Sequence, residues 1–168
     1  NGLCDKYAER AERCQQYLLN AGMPEATIYS GDEGYKALCE REDIDLVYIC
    51  TDWKNHTPIA LYAMECGKHV AIEVPAANTI EEIWALIDMS EKTRRHCMML
   101  ENCVYDYYEM STLAMAQAGV FGEVIHVEGS YHHCLDPYWS EYWNSWRLDY
   151  NRENRGDVYP THGIGPVC

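Results

Sequence analysis

The feature that most restricts this chain is a repeated alternation of short apolar runs with longer amphipathic stretches. DLVYIC (45–50), HVAIEV (69–74) and CMMLE (97–101) are brief and almost unbroken in apolar character. Such runs suit strands covered on both faces, as parallel sheets require. Between them stand longer segments with helical spacing. In KYAERAERCQQYLLNAG (6–22), Tyr7, Ala11, Cys14, Tyr17 and Leu18 share one face and Gly22 ends the run. TPIALYAMECGK (57–68) is a helix stopped by Gly67. TIEEIWALIDMSEKTRR (79–95) opens with Thr79 and, three residues on, Glu82, the pattern of a capping box. NGLC ends like a strand at Asp5, TIY (27–29) is a further strand, and a helix is expected near 34–41. Pro75 ends HVAIEV, because proline cannot donate to a central ladder.

This rhythm predicts an α/β fold, a Rossmann-like doubly wound parallel sheet. The chain enters it at the second strand. The first strand, its helix and the G-x-G-x-x-G loop that cradles a pyrophosphate have no counterpart in the sequence, which therefore reads as a fragment. A Tyr- and Met-rich helix is expected over 105–118, with the tyrosines of YDYYEM as packing residues. After Gly122 the texture changes. EVIHVEGSYHH (123–133) alternates like a half-exposed strand, and 136–157 is polar and rich in tryptophan. The expected organisation is a partial dinucleotide-binding domain over 1–122, then the beginning of an α+β substrate domain over 123–168.

Charge narrows the partners. Thirteen basic against 27 acidic residues give a net charge of -14, which disfavours nucleic acid and anionic lipid, since both need clustered Lys and Arg. No stretch is long and apolar enough to span a bilayer. The nine cysteines include no C-x-x-C pair and read as free thiols, favouring a reducing compartment. With Asn1 at the start and no initiator Met, a cytoplasmic and an exported location both fit. His132, His133 and Cys134 are adjacent, but no second pair has ligand spacing, so no metal site is expected.

In open parallel sheets, ligands bind beyond the carboxyl ends of the strands. Those ends here are Asp5, the segment TDWKNH (51–56), Glu73 with Val74, and Glu101 with Asn102. An acidic residue closing the second strand suits a ribose diol and repels a 2′-phosphate, so Asp5 favours NAD over NADP. The plainer alternative is that Asp5 and Asn55 only cap helices.

DLVYICTDWKNHTPIALYAMECGKHVAIEVP resembles the nicotinamide-binding domain of the Gfo/Idh/MocA oxidoreductases. EVPAA, EKTRRHCMMLENCVYD, GVFGEVIHVEG, WRL and DVYPTHGIGPV resemble, more narrowly, glycoside hydrolase family 109, the NAD-dependent α-N-acetylgalactosaminidases. Ordinary dehydrogenases of the superfamily usually carry E-K-P and D-x-G-x-H motifs. This chain has Glu73-Val74-Pro75 and Thr161-His162-Gly163-Ile164-Gly165 in those places, which leaves Tyr159 and His162 as the plausible replacements. The resemblance implies NAD contacts at Asp5, Trp53, Lys54, Asn55, His56, Glu73, Val74 and Asn102. It implies sugar contacts at Tyr131, Arg147, Tyr159, Pro160, Thr161 and His162, with Glu101 and His133 in the same neighbourhood.

The chemistry implied by the resemblance is cleavage of a terminal α-N-acetylgalactosaminide. It proceeds by transient oxidation at C3, elimination across C1–C2, addition of water and re-reduction. Tyr159 and His162 are expected to handle the C3 and C2 protons, with Tyr131 and His133 near the leaving group or anchoring the sugar. Arg147 is expected to hold hydroxyl or amide oxygens. A conventional NAD-dependent sugar or polyol dehydrogenase is the runner-up, and a non-catalytic fragment or binding module is the third reading. The superfamily often pairs through its second domain, so a homo-oligomer is possible for the longer protein.

Overall fold

The structure, a computed structural model, describes residues 1–143, 145–154 and 160–168, leaving aside the side chains of Trp139 and Tyr142. The chain divides into two compact units, Asn1–Met99 and Leu100–Cys168. The composition change near residue 122 lies inside the second of them.

The first unit alternates strand and helix throughout: β1 (Gly2–Asp5), α1 (Ala8–Asn20), β2 (Thr27–Ser30), α2 (Gly34–Cys39), β3 (Leu46–Ile49), α3 (Trp53–Glu65), β4 (His69–Ile72), α4 (Ile80–Thr93) and β5 (Cys97–Met99). All pairing is parallel, as the alternation of strand and helix predicts. The strands form two groups, β1–β2 and β3–β4–β5.

The core lies on one face of the three-stranded group. Val47 and Ile49 of β3 and Val70 and Ile72 of β4 alternate inward, and Ile59, Ala60, Ala63 and Met64 of α3 close over them with Leu38, Cys39 and Leu86. Alanines at 60 and 63 let the helix lie close to the sheet. The opposite face departs from the sequence expectation. Leu46, Tyr48 and Met98 are 57%, 54% and 58% exposed, so DLVYIC is covered on one side only among the described residues. An apolar run reports that both faces tolerate burial; it does not supply the second layer.

Helix boundaries follow local chemistry. The Thr79 side chain accepts from the Glu82 amide and Glu82 reaches back to the Thr79 amide, completing the expected capping box. Gly67, at φ +80°, closes the turn after α3. Helix α3 starts earlier than its sequence pattern indicates, at Trp53, and carries Pro58 within its first two turns. On α1 the buried residues are Ala11 and Gln15, whereas Tyr17 is 66% exposed. Gln15 is inward because its Oε1 accepts the Ala26 amide.

The second unit contains α5 (Tyr107–Gln117), a short 3₁₀ turn at Asp136–Tyr138, α6 (Trp139–Tyr142), α7 (Trp146–Glu153), α8 (Thr161–Ile164) and a final 3₁₀ turn, Gly165–Val167. Two expectations fail here. Residues 123–135 form no strand, and Val124, Ile125 and Val127 are 54%, 91% and 52% exposed. A lone alternating segment gains nothing from extension without a ladder partner, and none is present among the described residues. Tyr105, Tyr107 and Tyr108 do not pack inward; they are largely exposed.

Ile72, the last residue of β4, is fully buried. Ile72→Ala is expected to cost about 2–5 kcal/mol, and Thr79→Ala about 1 kcal/mol, in urea unfolding monitored by circular dichroism.

Candidate functional site

At the strand ends of the first unit, acidic side chains gather. The Asp5 carboxylate accepts the Tyr7 amide through Oδ1 at 2.9 Å, fixing its orientation beyond β1. The neighbouring cation Lys6 is paired with Asp32 at 2.8 Å. Glu73 follows β4, its amide donating to the Ile49 carbonyl at 2.8 Å. Its carboxylate accepts the Tyr48 hydroxyl, and this bond pushes the Tyr48 phenol up to about 12. Cys50, just past β3, marks the convergence. Burial raises its thiol, and the carboxylates of Glu73 and Asp5 raise it further. These acceptors suit hydroxyl groups and disfavour an added phosphate at Asp5, the chemistry expected for a ribose diol.

The turn into α3 divides its residues by role. Lys54 and Asn55 are exposed, and Asn55 Nδ2 donates to Asp52 Oδ2 at 2.7 Å. Trp53 and His56 are buried, at 3% and 1% exposed. The His56 ring sits between two carbonyls, Nδ1 2.7 Å from Pro75 O and Nε2 3.1 Å from Thr51 O. It ties the loop after β3 to the loop after β4. Asn78 adds a second tie, its Nδ2 donating to the Trp53 carbonyl. Val74 is buried and Asn102, in the second unit, is exposed.

The second unit gathers residues far apart in sequence. His162 on α8 is buried, and its Nδ1 lies 2.5 Å from Glu101 Oε1. The same oxygen accepts the Cys103 amide at 2.9 Å. An ionised carboxylate only accepts, so Nδ1 carries the proton and Nε2 the lone pair when the ring is neutral. Burial pushes the Glu101 carboxyl up, but the bonds from the Cys103 amide and His162 outweigh it and hold the group below the usual range. The Thr161 hydroxyl stands beside this carboxylate without a well-formed bond.

Aromatic rings frame the pair. The Tyr131 ring meets His162 edge-on at 4.6 Å and His133 at 4.4 Å. Tyr131 and His133 are thus in ring contact although their segment is not a strand; Tyr131, His132 and His133 are all exposed. Glycines make this approach possible. A Cβ on Gly163 would meet Ser130 Cα at 3.3 Å and the Tyr131 amide nitrogen at 3.4 Å, and one on Gly129 would run into the Gly163 carbonyl. On the other side, a Cβ on Gly165 would strike Val104. The turn from Thr161 is thus pressed between the 129–131 segment and the Glu101–Val104 loop.

Of the other expected sugar contacts, Pro160 is exposed and caps α8, and Thr161 is half-buried. Arg147 stacks its guanidinium over the Trp146 ring at 4.9 Å. Tyr159 lies outside the described residues. Tyr48 was not among the sequence candidates. Its signal was its register: Tyr48 pairs with Ala71, two residues before Glu73 on the adjacent strand.

Residues 1–101 match the oxidoreductase family with an NAD-binding Rossmann fold, GFO_IDH_MocA. Residues 105–168 match the C-terminal domain of glycosyl hydrolase 109. Glycosyl hydrolase family 109 protein 1 of Phocaeicola vulgatus is 66% identical over 167 residues, 99% of this chain and 36% of that protein. The chain thus spans about a third of the curated relatives it matches. Among solved structures, an NAD-binding protein from Listeria innocua is 30% identical with a TM-score of 0.62, covering 73% of this chain and 34% of its own. An aldose-aldose oxidoreductase from Caulobacter crescentus, complexed with glycerol, is 27% identical with a TM-score of 0.61, covering 72% and 35%.

The geometry has two measurable consequences. With its carboxyl lowered in the folded state, Glu101 contributes stability that is complete above the ordinary carboxylate range, near about 4.3. That contribution is lost as pH falls through the lowered folded value. Glu101→Gln should remove this acid-side loss and cost about 1–3 kcal/mol at neutral pH, as read by urea unfolding across pH. Gly129→Ala should lower the thermal midpoint and weaken the Tyr131–His162 ring contact, visible as changed ring-proton shifts.

Proposed function

Because the chain belongs to the Gfo/Idh/MocA oxidoreductase family, with its NAD-binding Rossmann fold, we propose that it forms part of an NAD-dependent glycosidase. The substrate we assign is a terminal α-N-acetylgalactosaminide, cleaved by oxidation at C3, elimination across C1–C2, hydration and re-reduction. The observation that carries this reading is the buried Glu101–His162 pair beside Tyr131, in a segment that matches the glycosyl hydrolase 109 C-terminal domain. The match to glycosyl hydrolase 109 proteins supports a glycoside as substrate.

Asp5 would hold the ribose hydroxyls, and the Trp53–His56 turn, Glu73 and Val74 would border the rest of the cofactor; Asn102 keeps its assignment to the cofactor from its place in the sequence. NAD, when bound, supplies a hydride acceptor and returns the hydride in the same turnover. The chain's own residues manage protons. Glu101 orients His162 so that Nε2 can take a proton from the sugar, and stabilises the ring once it is charged. Once C3 is a ketone, the C2 proton is acidic enough for an imidazole base to remove. Tyr131 stands beside His162 and His133 beside Tyr131, and both are assigned to the sugar and its leaving oxygen. Arg147 is assigned to hydroxyl or amide oxygens, as a planar donor fork. Tyr159 keeps its assignment to the C3 proton from its place in the sequence.

A second reading, a sugar dehydrogenase, is favoured by the likeness to the aldose-aldose oxidoreductase. The two differ in what accumulates. With NAD+ present, a redox glycosidase releases p-nitrophenol from p-nitrophenyl α-N-acetylgalactosaminide without steady formation of NADH, and a substrate deuterated at C2 loses its label to water. Steady NADH formation from free sugars, with no aglycone release, supports the dehydrogenase instead. In the longer protein of which the chain forms part, His162→Ala should lower aglycone release by about 10²–10⁴-fold, with NAD+ affinity unchanged by calorimetry.

A further inference from the structure

The residues around Glu101 make up a donor set that the proton chemistry above does not exhaust. One ligand atom each from Glu101, Cys103 and His162 lies within 4.8 Å of the other two. The Glu101 side chain is 8% exposed and that of His162 3% exposed. Glu101 Oε1 is used twice, by His162 and by the Cys103 amide, whereas buried Oε2 has no hydrogen-bond partner. A buried carboxylate with one oxygen unpaired carries negative charge that its partners offset only in part, which favours a cation beside it.

We propose that Glu101, Cys103 and His162 form a binding site for one borderline divalent cation of the zinc(II) class. The ligands are a carboxylate oxygen, a thiolate and an imidazole nitrogen, with water in the fourth position. Oxygen, sulfur and nitrogen together suit zinc and its neighbours, and argue against magnesium or calcium, which take oxygen alone. Tetrahedral bonds of ordinary length put ligand atoms about 3.3–3.5 Å apart. The imidazole and carboxylate, 2.5 Å apart, must therefore part by under about 1 Å. Cys103 Sγ, within 4.8 Å of the other two atoms, must close by at most about 1.3 Å, within the reach of a side-chain rotation.

Local charge favours the cation. The carboxylates of Glu101, Asp106 and Glu109 all act on the Cys103 sulfur, so negative charge converges on the site. The exchange balances simply: the thiol proton and the proton between Glu101 and His162 leave to water, the cation takes their place, and no group is oxidised or reduced. Affinity accordingly rises with pH. Occupancy would also take His162 out of proton transfer, a consequence that rests on the glycosidase reading; the binding itself does not.

The test uses the chain itself, stripped with a chelator and titrated with cobalt(II), then with zinc(II) against a chromophoric chelator. The expected result is one equivalent of cobalt(II) with a thiolate-to-cobalt band in the near ultraviolet. Cys103→Ala should abolish that band. Zinc(II) affinity should fall at least about tenfold in both Cys103→Ala and Glu101→Gln, and should be unchanged in Cys134→Ala. Circular dichroism establishes that each variant is folded, and Cys103→Ser, closer in size, replaces the alanine variant if that one is not. A wild-type chain with no thiolate band, a band that survives loss of the Cys103 sulfur, or a band lost in Cys134→Ala would each overturn the proposal.

Discussion

The second unit depends on one close approach. Gly163 and Gly129 meet backbone to backbone, and Gly165 presses against Val104. A side chain at any of these positions would hold α8 away from its neighbours. Because none is present, His162 can be buried with a carboxylate on one side and a tyrosine ring on the other. The glycines of THGIG therefore matter less for chain flexibility than for the distance they allow. That distance has a chemical consequence. A histidine whose Nδ1 is committed to a carboxylate has its tautomer and ring plane set, and its Nε2 becomes the working atom.

The first unit does different work by different means. Its core is a single face of a parallel sheet under α3 and α4, and its candidate functional residues are at the strand ends, where the backbone stops hydrogen bonding and side chains take over. Asp5, Glu73 and the Tyr48 hydroxyl gather there. His56, expected from the resemblance to touch a cofactor, spends both ring nitrogens facing loop carbonyls. Its contribution is to hold two strand-end loops together, so that the edge keeps its shape.

Much of the first unit was legible because its signals are local. Periodicity marked each helix, Gly67 and Thr79 marked ends, and apolar runs marked β3 and β4. The strand-end rule then placed Asp5 and Glu73 at the candidate site. The failures share a cause. The alternation of 123–133 reports a preference for extension but cannot report a partner strand. The apolar content of DLVYIC cannot report whether a second layer covers it, and aromatic content did not make Tyr105, Tyr107 and Tyr108 part of a core. Glu101 and His162 were each singled out, but their pairing was not, because they are 61 residues apart and no periodicity links them. The convergence of Glu101 and Cys103 with His162 was hidden for the same reason, because only the first two are near each other in the sequence.

The chemistry assigned to the second unit stands on Glu101 holding the Nδ1 proton of a buried His162. Proton NMR of the 15N-labelled chain measures this directly. The expected spectrum has a far-downfield imidazole N–H resonance, slow to exchange with water, that disappears in both Glu101→Gln and His162→Gln. Its persistence in Glu101→Gln, or its absence from the wild-type chain, would show that the carboxylate does not hold that proton.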